Sequence, residues 1–130
     1  MMTKGAIQGK SFAFAVRIVN LFKHLSTEKR EFVLSKQLLR CGTSIGALVR
    51  EAEQAESRPD FIHKLAIALK ESNETEYWLE LLKETGYLDA HGFASIHKDL
   101  RELLKLLTSI IKSTKMRPKQ VTPNNARAVE

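Results

Sequence analysis

Between Leu34 and Thr85, helical periodicity is interrupted only once, at Ser57-Arg58-Pro59-Asp60. On the first side, Leu34, Leu38, Cys41, Ile45, Leu48, Val49, Ala52 and Ala55 recur at helical spacing, which predicts a helix over about 32–56. On the second side, Phe61, Leu65, Ala68, Ser72, Leu79 and Leu82 form one line, flanked by Ile62 and Leu69. Ser57 and Asp60 have the spacing of a capping box, with Pro59 in the first turn. This predicts a helix from Arg58 to about Thr85, with Gly86 just past its end. Two long helices joined by so short a break must lie antiparallel, which confines the chain to a helical bundle.

The flanks supply two more helices and no strand. Residues 8–25 are apolar around more than half of the helix circumference, through Phe12, Phe14, Ala15, Val16, Ile18, Val19, Leu21, Phe22 and Leu25. The polar positions Lys10, Arg17, Asn20 and His24 fall on one narrow stripe at helical spacing. A helix on the outside of a monomeric bundle needs an apolar stripe only about 100° wide. The excess implies burial on two sides, and hence self-association. Asp89 can cap a fourth helix over about 90–113, where Phe93, Ile96, Leu100, Leu103, Leu107 and Ile110 keep heptad spacing, widened by Leu104 and Ile111. The expected fold is all-α, an antiparallel up-down-up-down four-helix bundle over residues 1–115. Residues 116–130, with two prolines, two asparagines and few apolar side chains, are expected to form a disordered tail.

Composition narrows the function classes. No apolar run approaches the ~20 residues of a membrane span, and the first residues lack the apolar core of a secretory signal. One cysteine, Cys41, excludes an intrachain disulfide and leaves too few thiols for a zinc site; it lies on the core stripe and is expected to be an inert small hydrophobe. These features favour the cytoplasm. Glu51, Glu71, Glu74, Glu76 and Glu80 raise the question of a di-metal bundle, but the Glu-x-x-His pairs of such sites do not occur. Salt bridges to Arg40, Arg50 or a neighbouring subunit are the simpler expectation. Glu76, between Leu65 and Leu69 on the helical wheel, is the one expected to be partly buried. His24, His63, His91 and His97 have no obvious acid or base partner. Gly42-Thr43-Ser44-Ile45-Gly46 lacks the lysine of a phosphate loop and sits inside helical periodicity. Glycine in a helix costs about 1 kcal/mol relative to alanine, so Gly42 and Gly46 on one face imply close approach of a neighbouring helix. Tyr77 and Trp78 are read as packing at a helix or subunit interface. No enzyme activity, metal or cofactor is implied.

The charge is segmented. Residues 1–50 carry nine Lys/Arg against two Asp/Glu, residues 51–89 four against ten, and residues 90–130 eight against three. Lys98, Arg101, Lys105, Lys112 and Lys115 fall on one side of the fourth helix, expected beside its apolar seam with Asp99 and Glu102 pointing away. Lys10 and Arg17 make a shorter stripe on the first. Such rods of positive charge can track phosphates, so RNA or DNA is the expected partner, bound in a salt-sensitive, sequence-tolerant way. The alternative is a protein-interaction adaptor or assembly scaffold in which opposite charges serve docking.

One stretch is specific enough to suggest kinship. Leu38-Leu39-Arg40-Cys41-Gly42-Thr43-Ser44-Ile45-Gly46-Ala47, then Arg50-Glu51-Ala52, Asp60-Phe61-Ile62-His63-Lys64-Leu65, Ala68-Leu69-Lys70-Glu71 and Glu74-Thr75-Glu76-Tyr77-Trp78-Leu79, resembles the four-helix-bundle proteins encoded in intervening sequences of bacterial 23S ribosomal RNA genes. The resemblance extends from Phe12 to about Lys115. Cys41 stands where a small residue such as serine would be expected, and Leu48 where asparagine would. The resemblance implies a bacterial cytoplasmic protein, a ring-shaped homopentamer and no established enzymatic activity. The same fold is shared by the accessory variability protein of diversity-generating retroelements, which is understood to bind nucleic acid and a reverse transcriptase. Through that relative a reverse transcriptase is a further conceivable partner.

Overall fold

The structure, a computed structural model, describes residues 4–118. They form α1 (Lys4–Thr27), α2 (Leu34–Ala52), α3 (Arg58–Glu84) and α4 (Ala90–Met116), with no strand among the described residues. Each helix packs on two neighbours, and α1 against α4 closes the square. Direction follows from which residues meet. Gly42 faces Ile18 and Gly46 faces Ser11. Arg40 meets Glu71 and Glu74, while Glu51 meets Lys64. Glu76 meets His97 and Lys83 lies over the Phe93 ring, while Arg17 meets Asp99 and Lys10 meets Glu102. At each seam residue numbers rise along one helix as they fall along the other, so all four seams are antiparallel.

The core is the expected set of stripes. Leu38, Cys41, Ile45, Val49 and Ala52 of α2 are buried with Leu65, Ala68, Leu79 and Leu82 of α3 and Ile96, Leu100, Leu103 and Leu107 of α4. From α1 come Ile7, Phe14, Ile18 and Leu25. Five small polar residues also reach the interior: the hydroxyls of Ser35, Ser72, Thr75 and Thr114 donate to the carbonyl four residues earlier in the chain, and that of Ser11 to the carbonyl three earlier. That satisfies the hydroxyl at little cost and keeps the helices close.

Helix ends follow the side-chain chemistry. Ser57 caps α3, its Oγ accepting from the Asp60 N–H at 3.2 Å. Asp60 reciprocates one residue early, accepting from the N–H of Glu56 rather than Ser57. Asp89 caps α4 by accepting from the Gly92 N–H at 2.6 Å. Gly86 takes φ +85°, the left-handed conformation that ends α3. Three helices differ from expectation in their bounds. Helix α1 spans Lys4–Thr27 rather than 8–25, and its first turn brings Ile7 into the core. Helix α2 spans Leu34–Ala52 rather than 32–56, because residues 53–57 turn to reach the Ser57 cap. Helix α4 continues to Met116, and Arg58 donates to the carbonyls of Arg117 and Pro118 at 2.8 and 2.9 Å, fastening the end of α4 to the start of α3. The disordered tail is expected from residue 116; residues 116–118 belong to this end of α4, and residues 119–130 lie outside the described residues.

The start of α2 rests on a residue that periodicity does not reveal. Val33, at its N-terminus, has no side-chain cap. The Glu31 carboxylate instead accepts the N–H groups of Val33, Leu34 and Ser35 at 3.1, 2.9 and 2.7 Å. Arg30, before it, adopts φ +55° to fold the carboxylate back over the helix end.

Candidate nucleic-acid interface

The outer face of α4 collects the basic residues. At 100° per residue, Lys98, Arg101, Lys105 and Lys112 fall within an arc of about 60°, opposite the buried line of Ile96, Leu100, Leu103 and Leu107. The stripe is therefore on the solvent side of the helix, not beside the apolar seam. All four are exposed, and no ion pair joins them to another described residue. Lys115 is exposed further round, on the α3 side.

Asp99 and Glu102 do not point idly away. They turn toward α1, where Asp99 Oδ2 accepts from Arg17 Nη1 at 2.7 Å and Glu102 lies 3.3 Å from Lys10 Nζ. Arg17 also donates to the Ser95 hydroxyl at 2.9 Å and to the Ser95 carbonyl at 3.2 Å. The structure thus divides the seven basic site candidates. Five on α4 face outward without a carboxylate, and the two on α1 are joined to the acids of α4. Both acids of that side of α4 are thereby engaged by α1, although Glu102 flanks Lys98 on the wheel. The signal was present in the sequence: on a helical wheel Asp99 and Glu102 lie on the opposite side of the helix from Phe93 and Leu104, where one neighbouring helix must pack.

Three of the five central carboxylates, Glu51, Glu71 and Glu74, are taken up in ion pairs, while Glu80 is exposed with no ion pair to another described residue. Glu71 and Glu74 both bind Arg40, and Glu74 also accepts from Trp78 Nε1 at 3.0 Å. The Trp78 and Arg40 donors hold the Glu74 carboxyl below the usual carboxylate range, against a smaller opposing effect of burial. Glu51 pairs with Lys64 at 3.2 Å. Arg50 makes no such pair among the described residues; its guanidinium lies 5.9 Å from the centre of the Phe12 ring. Glu76, partly buried as expected, sits 2.7 Å from His97 Nε2. His97, expected to lack an acid partner, therefore has one, and its ring stacks on Phe93 with centroids 4.8 Å apart.

The two helix glycines lie where α1 comes close to α2. A methyl group added at Gly42 would lie 2.8 Å from Ile18 Cγ1, and one at Gly46 3.3 Å from the Ser11 carbonyl oxygen, so both glycines admit α1. Tyr77 and Trp78 pack edge to face with centroids 5.0 Å apart, Trp78 half-buried and Tyr77 exposed. Burial pushes the Cys41 thiol up, away from the reactive thiolate. A groove of about 710 Å³ runs along the α1–α2 side, lined by Gln8, Phe12, Gly46, Arg50, Asp60 and Lys64 among others, away from the α4 stripe. Among the described residues no helix is long and apolar enough to cross a membrane.

Fold and site together define an all-α, antiparallel four-helix bundle with ion-paired seams and one cationic outer helix face. The chain belongs to the 23S rRNA-intervening sequence protein family, whose model matches residues 4–109. It is 62% identical to a protein of unknown function from the S23 ribosomal protein family of Bacteroides thetaiotaomicron VPI-5482, known from a crystal structure; the match covers 85% of this chain and 99% of that one, with a TM-score of 0.84. Comparison with curated proteins gives no match.

Proposed function

We propose that this chain is a non-enzymatic cytoplasmic protein that assembles with copies of itself and binds RNA or DNA through the outer face of α4. The observation that carries the reading is the segregation of charge on that helix. Lys98, Arg101, Lys105 and Lys112 make no ion pair among the described residues, while Asp99 and Glu102 are drawn to Arg17 and Lys10. Cations already engaged must break an ion pair before meeting a phosphate; the four on α4 need not. Filter binding of structured RNA across a salt series tests this. Lys105→Ala should weaken binding about eightfold at 0.1 M salt and lower the salt slope by about 0.9. Lys10→Ala, which also releases Glu102, should do less. A flat salt response, or no binding near physiological salt, refutes the reading.

Self-assembly is supported by α1, where Phe12 and Val16 are 59% and 45% exposed one turn apart on the side away from the core. Burying such a pair against another copy gains about 1.5–3 kcal/mol per side chain, and the family resemblance makes a ring of five the expected form. Light scattering of Phe12→Asp/Val16→Asp should show a smaller particle than the wild-type chain. Equal masses would place the contact elsewhere. A protein-docking scaffold without nucleic acid remains the second reading, favoured by the exposed Tyr77 beside Trp78. Stable copurification of a different protein, with indifference to nucleic acid, would establish it instead.

A further inference from the structure

We propose that the α4 face takes a double-helical nucleic acid, RNA or DNA, along its phosphate backbone, in preference to single strands and without reading base sequence. The proposal rests on the nucleic-acid reading above and specifies its ligand.

Shape supplies the first reason. Lys98, Arg101, Lys105 and Lys112 lie on one uninterrupted helix, Ala90–Met116. At 1.5 Å per residue they span about 21 Å in a nearly straight row. A duplex offers a stiff, straight lattice with one phosphate charge per ~1.7 Å of its axis. A rigid rod of cations meets that lattice without ordering either partner. A single strand would have to be straightened along the rod, and that ordering costs conformational entropy.

Chemistry supplies the second. Proteins that hold single strands combine a cationic groove with aromatic side chains, and stacking contributes about 1–3 kcal/mol per base. The outer face of α4 is convex, and none of its exposed residues is phenylalanine, tyrosine or tryptophan. The exposed aromatics Phe12, Phe32 and Tyr77 lie on α1, on the turn before α2, and on α3. The groove of about 710 Å³ lies on the α1–α2 side instead.

The third reason concerns sequence reading. Ala94, Thr108 and Ser109, exposed beside the cations, are small or hydroxylic; they let a backbone approach, and the two hydroxyls can donate to phosphate oxygens, while Glu102, also beside the cations, is paired with Lys10. Helix α4 contains no asparagine or glutamine for bidentate contact with adenine, and Arg101 is its only arginine.

Fluorescence anisotropy on the full chain at 0.1 M salt decides the matter, with duplex RNA, duplex DNA and the matching single strands of about 20 nucleotides as probes. Both duplexes, or one of them, should bind about tenfold or more tighter than any single strand. Shuffling the duplex sequence should leave affinity within about twofold. Lys98→Gln/Lys112→Gln should weaken duplex binding while helix content by circular dichroism stays unchanged. A preference for one duplex upholds the proposal and identifies its source. Single strands binding as tightly as duplexes overturn the proposal and leave the nucleic-acid reading standing. Strong dependence on duplex sequence overturns it too. Absence of binding to every probe overturns both.

Discussion

Gly42→Leu is expected to destabilise the bundle by about 3 kcal/mol, and Gly42→Ala by about 1 kcal/mol, in denaturant titrations followed by circular dichroism. Two effects oppose each other at this position. Helix propensity favours either substitution by about 0.8–1 kcal/mol. Against it stands the contact with α1, where a Cβ at Gly42 would meet Cγ1, Cγ2 and Cδ1 of Ile18 at 2.8, 2.9 and 3.0 Å. Ile18 is fully buried, so its branched side chain has nowhere to retreat. Overpacking of a filled core costs about 1–3 kcal/mol and exceeds the propensity gain. Leucine adds three further carbons to the same clash and belongs at the upper end. If the contact is the cause, Ile18→Val should recover part of the loss in the Gly42→Ala background although it destabilises the wild-type chain. Gly42→Ala proving more stable than wild type would refute the close-contact account. Gly46 faces a carbonyl oxygen at 3.3 Å, a milder contact, and Gly46→Ala should cost less than Gly42→Ala.

Glu31→Ala is the second large effect, with an expected loss of about 2 kcal/mol, the upper end for a capping residue. The residue is 8% exposed, and its carboxylate is the acceptor for three N–H groups at the start of α2. Alanine would leave these donors to find water at a helix end packed against the core. The carboxyl also titrates. Burial opposes its ionisation, but the N–H groups of Leu34, Ser35 and Val33 together with the Ser35 hydroxyl outweigh burial and hold it below the ordinary carboxylate range. A depressed folded-state value means that the stabilisation is complete above the unfolded value of about 4.3 and is lost as pH falls through the folded value. Glu31→Gln should therefore be less stable than wild type near neutrality, with the difference shrinking on acidification below about pH 4. A constant difference from pH 7 to pH 3 would show that the charge is not what Glu31 contributes. The Glu74 carboxyl is also held low, by Trp78 and Arg40, and both proteins keep that source of acid sensitivity.

Much of the architecture was legible because it rests on local, periodic signals. The lines through Leu38 and Ile45, Leu65 and Leu79, and Leu100 and Leu107 became the core, and Ser57 and Asp89 became caps. These signals repeat with the helix and need no partner to be recognised. The kinship carried by Leu38 to Leu79 was legible for the same reason, and the family match bears it out. The Glu31 cap was not, because a glutamate outside the usual capping residues acts only once Arg30 turns left-handed and the chain folds back. The Glu76–His97 pair was not either, since its members stand on different helices.

The candidate site divides along the same line. Sequence alone determined that Lys98, Arg101, Lys105 and Lys112 share one helix face, because residues on one helix are related by a constant rotation. It determined four helices, their antiparallel order and the glycines that admit a close neighbour. Only the tertiary structure decided which cations stay available. Lys10 and Arg17 were grouped with the α4 stripe by charge, yet they engage Glu102 and Asp99 across the α1–α4 seam. The physical reason is that charge is a property of a residue, whereas availability depends on what its neighbour brings within about 4 Å, and that neighbour is some 80 residues away in the chain.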